Sequence, residues 1–268
     1  MEVIDVHTHV TFTRDSLAVF AESLKFKPTV DGLLSELDSY NISRAFVITE
    51  NLLDTTPLGL SDVKKIPANS KISWIAGINP LKAGKKELDA TDKALSDGVF
   101  KGLKIYLGYY PVFPTDKVYG PFFKLAQKHN VPVFFHTGDT FGSKFHLKYA
   151  HPLNIDDVAV NFPDVKIVIC DLGNPWCIDA AALVYKNPNV FADLSGFNVG
   201  HFNVRQERKM LFRRIETALN YCGYDKLLYG TDWPLVDMRD YFFLMKKIIP
   251  RCERKKVFAG NAKKLFNL

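Results

Sequence analysis

The chain has 268 residues, 47% of them hydrophobic and 24% charged, which is ordinary globular composition and excludes a disordered or fibrous chain. Its formal net charge is +6, but the basic residues are scattered, and no basic stripe interleaved with aromatic residues indicates a nucleic-acid site. The four cysteines form no Cys-x2-Cys pair, so neither a structural zinc site nor a redox dithiol is predicted. With no apolar run of membrane-spanning length and no apparent signal peptide, we expect a cytoplasmic protein.

Short apolar runs alternate with amphipathic stretches along the chain. In chain order the predicted strands are Glu2–Val6, Arg44–Thr49, Ile72–Ile78, Gly102–Leu107, Pro132–His136, Lys166–Cys170, Val190–Leu194 and Lys226–Tyr229. The clearest helical stretches between them are Val30–Tyr40, Pro121–Asn130, Ile178–Lys186 and Arg208–Cys222. Alternation of this kind predicts parallel strands, and eight such units favour a single α/β domain over residues 1–268, folded as a closed (β/α)8 TIM-like barrel.

The longest irregular region, Thr137–Asn154, follows the fifth predicted strand. The loops after the strands of a barrel surround its active site. Because connections of this length are uncommon unless they have a function, we expect this loop to cover the site as a lid.

Two histidines stand at the end of the first predicted strand, in the sequence Asp5-Val6-His7-Thr8-His9. Because strand side chains alternate between two faces, His7 and His9 point in the same direction. In a barrel that direction can be inward, where two imidazoles form a ready pair of ligands for a divalent metal. Alone, the pattern fits a hydrogen-bonded or surface pair equally well.

Two other predicted strands also end in polar residues. The fifth is apolar up to His136, and the eighth is apolar up to Asp232. Each has a plain explanation, since His136 could be a hydrogen-bonded buried histidine and Asp232 could cap the next helix. A carboxylate at the end of a buried strand is nevertheless costly unless it is paired or bound to a metal. Together with His7 and His9, these strand ends indicate a metal site at the mouth of the barrel.

Four segments follow one another in the order seen in a known family. They are Ile4-Asp5-Val6-His7-Thr8-His9, Phe135-His136-Thr137-Gly138, Leu228-Tyr229-Gly230-Thr231-Asp232-Trp233-Pro234 and Ala259-Gly260-Asn261-Ala262. They resemble the amidohydrolase superfamily, and most closely the branch that includes aminocarboxymuconate-semialdehyde decarboxylase, related aromatic-acid decarboxylases and lactone hydrolases. The resemblance implies a distorted (β/α)8 barrel and one divalent metal, usually zinc and sometimes manganese, with His7, His9, His136 and Asp232 as ligands.

The sixth predicted strand departs from the family pattern. Members of the family end this strand in a catalytic histidine followed by Leu-Gly, whereas this chain has Asp171 before Leu172-Gly173. A carboxylate can accept a proton, so base catalysis is retained in principle. A second ionised carboxylate also offsets the charge of a divalent ion, which weakens its hold on an anionic substrate. We predict Asp171 and Asp232 as the catalytic carboxylates; the alternatives for Asp171 are a fifth metal ligand and a relic of lost activity.

Four further residues are predicted to contact the substrate: Lys104, Tyr106, His151 and Trp176. Lys104 could meet a substrate carboxylate, bridge two metals as a carboxylated lysine, or form an internal ion pair. His151 could replace the missing histidine, although loop histidines, His201 among them, are more often solvated or packed. Tyr106 and Trp176 could stack on a flat substrate or belong to the wall or the core.

These expectations describe a metal-dependent enzyme that acts on a small molecule. The first expectation is hydrolysis of an amide, ester or lactone, since a metal lowers the pKa of water and polarises a carbonyl. The second is non-oxidative decarboxylation of an aromatic or unsaturated acid, in which an acid protonates carbon. A carboxylate is more naturally a base than an acid at neutral pH, which favours hydrolysis. The third expectation is a non-catalytic barrel that keeps its metal. A metal-dependent phosphoesterase is disfavoured, because such enzymes usually carry more histidines in the middle strands. No nucleic-acid or membrane partner is predicted, and a homo-oligomer is left open.

Overall fold

The computed structural model describes residues 1–11, 16–49, 63, 66, 68–199 and 205–268, with residues 205–208 described as backbone only. His201 lies outside these residues. All eight predicted strands lie within the described residues.

Eight parallel strands form one sheet in which each strand is hydrogen-bonded to the next in chain order. They are β1 Ile4–Thr8, β2 Arg44–Ile48, β3 Ile72–Ile78, β4 Phe100–Ile105, β5 Val133–Phe135, β6 Ile167–Ile169, β7 Val190–Asp193 and β8 Leu227–Leu228. Every predicted strand is therefore confirmed, and no strand end differs from its prediction by more than about two residues.

The segment after the last strand returns to the first strand and closes the barrel. Three backbone hydrogen bonds join β1 and the residue His9 beyond it to the segment after β8, from Val6 N to Tyr229 O, from Asp232 N to His7 O and from His9 N to Trp233 O. The buried Asp5 carboxylate adds a side-chain link, because it accepts from Thr231 N at 3.0 Å and from Thr231 Oγ1 at 2.7 Å. The predicted (β/α)8 barrel is confirmed, and both ends of the chain contribute to its closure.

Helices cover the outside and the amino-terminal end of the barrel. They are α1 Ser16–Ser23, α2 Val30–Ser39, α3 Lys85–Ser96, α4 Gly120–His129, α5 Asp156–Asn161, α6 Cys177–Lys186, α7 Arg205–Cys222, α8 Met238–Ile248 and α9 Asn261–Phe266. The sequence of α2 shows why such a segment is helical: Thr29 caps its first turn by accepting from Gly32 N at 3.1 Å, and Leu33 and Leu37 bury one face. Among the described helices, none combines the length and the apolar character needed to cross a bilayer.

The amino-terminal end of the barrel is closed by α9. The ring of Phe266 stacks on that of Phe46 in the barrel interior, with centroids 3.8 Å apart. Lys166, just before β6, donates to Leu265 O at 3.2 Å, and Lys263 pairs with Glu2 just before β1. Since apolar residues fill this end, the polar residues of the interior gather at the opposite, carboxyl end of the strands.

Candidate metal centre

Three donor atoms converge where β1 and β8 end. His7 Nε2 and His9 Nε2 lie 3.2 Å apart, and Asp232 Oδ1 lies 3.6 Å from the first and 3.3 Å from the second. Ligand atoms of a tetrahedral zinc, each about 2.0–2.1 Å from the ion, are separated by roughly 3.3–3.4 Å. The three donors therefore have the spacing of a metal coordination shell, and they fit the divalent ion that the family resemblance implies.

The backbone after β8 explains how Asp232 reaches this position. Asp232 has φ of 71°, a left-handed conformation that aspartate tolerates better than most residues, and its N–H donates to His7 O at 2.8 Å. Position 230 must be glycine, because a Cβ there would lie 2.9 Å from His7 Cβ. A sharp turn after a close strand contact thus aims the carboxylate at the two histidines.

Asp193, at the end of β7, orients His7 from behind. Its Oδ2 lies 3.0 Å from His7 Nδ1, so the ring N–H donates to the carboxylate and leaves Nε2 free to bind a metal. Burial alone would raise the pKa of Asp193, but the charge of His7 and the hydrogen bond from its ring hold that pKa low, at about 2. Sequence analysis missed this residue, although it ends an apolar strand just as His136 and Asp232 do.

His136 lies at the end of β5, but among the described residues it is not part of the converging donor set. Its Nε2 lies 3.0 Å from Asp139 O, and its Nδ1 lies 3.5 Å from Asp171 Oδ2. Burial and the charge of Lys104 lower the pKa of His136 to about 3, so the ring is neutral. Nδ1 is the atom that can bind a metal without loss of the bond to Asp139 O. The predicted role of His136 as a ligand stays a prediction.

Asp171 is brought towards the site by an unusual turn. Asp171, Leu172 and Gly173 have φ of 60°, 44° and 63°, three successive left-handed residues after β6. The Asp171 N–H donates to Asp193 Oδ1 at 2.8 Å, and the Asp171 carboxylate accepts from Ser195 Oγ at 2.7 Å. Burial raises the pKa of Asp171 to about 7; His7 opposes this rise and Asp232 adds to it.

Lys104 and Tyr106, both predicted to contact substrate, lie in the barrel interior. Lys104 is 1% exposed, its Nζ lies 2.9 Å from Cys170 Sγ, and it stands 5.3 Å from the centroid of the Tyr106 ring. Although burial opposes it, the neighbouring Cys170 and Asp171 raise the pKa of Lys104, so the amine is an ammonium ion; burial raises the pKa of the Cys170 thiol beside it. The Tyr106 hydroxyl donates to Thr49 O at 3.0 Å. Both side chains thus have internal partners, and their contact with substrate stays a prediction.

His151 and Trp176, the other two predicted substrate contacts, lie together in the loops after β5 and β6. Their ring centroids are 4.6 Å apart, and His151 Nδ1 accepts from Leu153 N at 3.3 Å. The structure therefore pairs them on the side of the barrel that holds the metal donors. Their role towards a substrate also stays a prediction.

Tyr109, which sequence analysis did not single out, connects the loop after β5 to the site. Its ring lies edge-on to His136 at 4.9 Å and against Phe145 at 4.6 Å, between ring centroids. The Tyr109 hydroxyl accepts from Phe141 N at 2.9 Å, and Phe141 in turn contacts Phe20 of α1 at 5.7 Å. The loop is thus anchored at both sides of the carboxyl end of the barrel.

The chain is a (β/α)8 barrel, and its histidines and carboxylates gather at the carboxyl ends of the strands. These two features are typical of barrel proteins that bind a metal. Within that class, the amidohydrolase family model matches residues 4–268, and the chain belongs to this family, in its amidohydrolase-2 branch. Family membership and fold support an enzyme of the amidohydrolase superfamily. No curated protein matches the sequence.

Several solved structures share the fold. An amidohydrolase from Burkholderia multivorans with bound zinc is 13% identical, with a TM-score of 0.75 and 100% of both chains covered. The 5-carboxyvanillate decarboxylase from Sphingomonas paucimobilis is 13% identical, with a TM-score of 0.72, covering 100% of this chain and 99% of that one. A probable 2-pyrone-4,6-dicarboxylic acid hydrolase from Acinetobacter baumannii with citric acid bound is 19% identical, with a TM-score of 0.69 and 100% of both chains covered. At these low identities, the similarity shows that the chains share a fold. The zinc in the first neighbour and the donor group found here are both consistent with one divalent metal.

Proposed function

We propose that this protein is a metal-dependent hydrolase that acts on an amide, ester or lactone of a small carboxylic or cyclic substrate. The observation that carries the proposal is the Asp171 carboxylate, held next to His136 and hydrogen-bonded to Ser195 while the converging donor set consists of other residues. A base that stands beside a metal, and not on it, is placed to take a proton from water.

His7, His9 and Asp232 are the residues that would hold the ion, and His136 would complete the shell through Nδ1. Imidazole and carboxylate donors at this spacing favour zinc, with manganese as the alternative. The ion would supply a lowered pKa for water and polarisation of a carbonyl. Proton transfer and substrate binding would be carried out by side chains of the protein.

Asp171 would take the proton and return it to the leaving group. Burial raises its pKa to about 7 in the metal-free site, and the charge of a bound ion would lower it towards the carboxylate form that accepts a proton. Asp232 would share in catalysis through its place in the donor set. The paired rings of His151 and Trp176 and the buried Lys104 and Tyr106 are the proposed surroundings of the substrate.

Decarboxylation is the second candidate, and the same raised pKa of Asp171 favours it. A buried carboxyl that keeps its proton near neutral pH can protonate the carbon from which carbon dioxide departs. The fold neighbour that acts on 5-carboxyvanillate supports this candidate as much as the pyrone-dicarboxylate hydrolase supports the first.

The test is turnover of the zinc-loaded protein against a panel of lactones, esters, amides and aromatic carboxylic acids, followed by Asp171→Asn on any substrate found. The amide has nearly the same size but takes no proton, so we expect a rate loss of roughly a hundred- to ten-thousand-fold with the metal content unchanged. Asp97→Asn, which removes an exposed carboxylate beyond α3, is the matched control and should keep full activity.

Asp171→His separates the two chemistries, because it restores the residue that the family pattern has at this strand end. A gain of decarboxylation in this variant would favour the second candidate. Unchanged turnover in Asp171→Asn would refute a catalytic role for Asp171, and no turnover on the whole panel would favour a barrel that keeps its metal without catalysis.

A further inference from the structure

Ser195, two residues beyond the end of β7, is a fully buried hydroxyl that contacts both parts of the candidate site. Its Oγ lies 2.7 Å from Asp171 Oδ1, 2.5 Å from Asp193 Oδ1 and 2.9 Å from His7 Nδ1. The first contact is with Asp171, the proposed base. The other two are with Asp193 and with His7, the metal ligand that Asp193 orients. One side chain therefore joins the two halves of the site.

The hydrogen-bond donors around Ser195 show which carboxylate depends on it. A hydroxyl has a single proton, so Ser195 can donate to Asp171 or to Asp193 but not to both. Asp193 already accepts from Asp171 N at 2.8 Å, from Ser195 N at 3.3 Å and from His7 Nδ1 at 3.0 Å. The Asp171 carboxylate, in contrast, has the Ser195 hydroxyl at hydrogen-bond distance from Oδ1 and His136 only at 3.5 Å from Oδ2.

Gly196, the next residue, also lies close to the Asp171 carboxylate. Its φ is 65°, and a Cβ at this position would lie 2.9 Å from Asp171 Oδ1 and 3.2 Å from Asp232 Oδ2. The backbone of residue 196 therefore lies against both carboxylates, where no other residue type fits without displacing one of them.

We propose that Ser195 and Gly196 form a bracket that holds the Asp171 carboxylate beside the His7, His9 and Asp232 donors and keeps it out of the metal coordination shell. The bracket deepens the proposed function and rests on it, because a carboxylate that binds the ion is no longer available as a base. Ser195 is a positioning residue in this arrangement. Without its hydroxyl, Asp171 is free to turn towards the ion and become an additional ligand.

Cobalt(II) tests the bracket without any substrate, because its visible absorption is strong in four-coordinate sites and weaker when a further ligand binds. The spectrum is recorded for cobalt-loaded wild type, Ser195→Ala, Asp171→Asn and the double variant. Ser73→Ala, which truncates a buried serine of β3, is the matched control. Thermal melting and the cobalt content of each variant are measured alongside.

We expect Asp171→Asn to leave the wild-type spectrum unchanged and Ser195→Ala to weaken it, while the double variant returns to the wild-type spectrum. A spectral change in Asp171→Asn alone would show that the carboxylate is already a ligand and would overturn the proposal, even if Ser195→Ala did not fold. A change in Ser195→Ala that persists in the double variant would overturn it as well. On a substrate, Ser195→Ala should lower kcat at least about tenfold with little change in KM.

The outcomes separate this proposal from the proposed function. A loss of turnover in Asp171→Asn, together with an unchanged Ser195→Ala spectrum, would keep the hydrolase and overturn the bracket. The expected spectra, combined with full activity of Asp171→Asn, would keep the bracket and overturn Asp171 as the base. Failure of the wild type to bind cobalt would overturn both.

Discussion

Asp193 orients one of the metal donors, although it is not itself a predicted ligand. Its hydrogen bond to His7 Nδ1 fixes the ring so that Nε2 points at His9 Nε2. Partners of this kind typically contribute ten- to a hundred-fold in metal affinity. We expect Asp193→Asn to weaken zinc binding by about that factor while the protein stays folded.

The measurement for Asp193→Asn is competition with a chromogenic chelator, and Asp97→Asn on the surface is its control. An unchanged dissociation constant in Asp193→Asn would mean that the ring of His7 keeps its orientation without the charge of Asp193, through its contact with Ser195 Oγ and its place on the strand.

The carboxylates also set the pH dependence of metal binding. Burial raises the pKa of Asp232 to about 6 in the metal-free site, although His7 and Lys104 oppose this rise. Since a ligand must lose its proton to bind, protons compete with the metal below that pH and cease to compete above it. Asp232 alone therefore predicts a loss of affinity of about tenfold between roughly pH 7 and pH 5. Although burial and Lys104 oppose it, Asp193 and Cys170 raise the pKa of His7 as well, which adds to the loss in the same direction.

Chelator competition at a series of pH values, with proton release recorded in weak buffer, measures this dependence. Affinity that stays constant over the range would contradict the burial of Asp232 in the metal-free protein.

The loop after β5 is the element most directly tied to access to the site. Tyr109 anchors it through the hydrogen bond from Phe141 N, and its exposed Lys144 and Lys148 are trypsin sites. We expect Tyr109→Phe to speed tryptic cleavage in this loop about tenfold or less, the size expected for a single net hydrogen bond. If the loop is a lid, bound substrate should slow the cleavage in the wild type.

Cleavage at Lys144 and Lys148 is followed by mass spectrometry, with Tyr185→Phe on the exposed side of α6 as the control. Equal cleavage of Tyr109→Phe and wild type would mean that the Tyr109 hydroxyl does not hold the loop, and equal cleavage with and without substrate would count against a lid.

The strands of this barrel could be predicted from the sequence because short apolar runs of strand length indicate buried segments. The polar residues that end β1, β5 and β8 could be found in the same way, since a polar group after a buried run is conspicuous. The contact between His7 and Asp193 could not, because it joins residues 186 positions apart that meet only when the barrel closes. The left-handed turn at Asp171–Gly173 was also hidden, since Leu172 is a residue type that rarely adopts positive φ.

At the scale of the whole molecule, the donors come from the two ends of the chain. His7 and His9 belong to β1, Asp232 follows β8, and the same region carries the backbone bonds that close the barrel. An ion bound there favours the folded chain over the unfolded one by mass action. That all 268 residues form one domain, and that the chain acts on a small molecule as a monomer or homo-oligomer, stay predictions.

We expect one divalent ion to bind at the place where the barrel closes, and elemental analysis of purified protein measures this. We expect about one ion per chain in the wild type and in Ser73→Ala, and none in the double variant His7→Ala with His9→Ala. Removal of the ion with a chelator should lower the melting temperature of the wild type and leave that of the double variant unchanged. Full metal occupancy in the double variant would contradict the ligand assignment, and two ions per wild-type chain would instead favour a carboxylated Lys104 as a bridge.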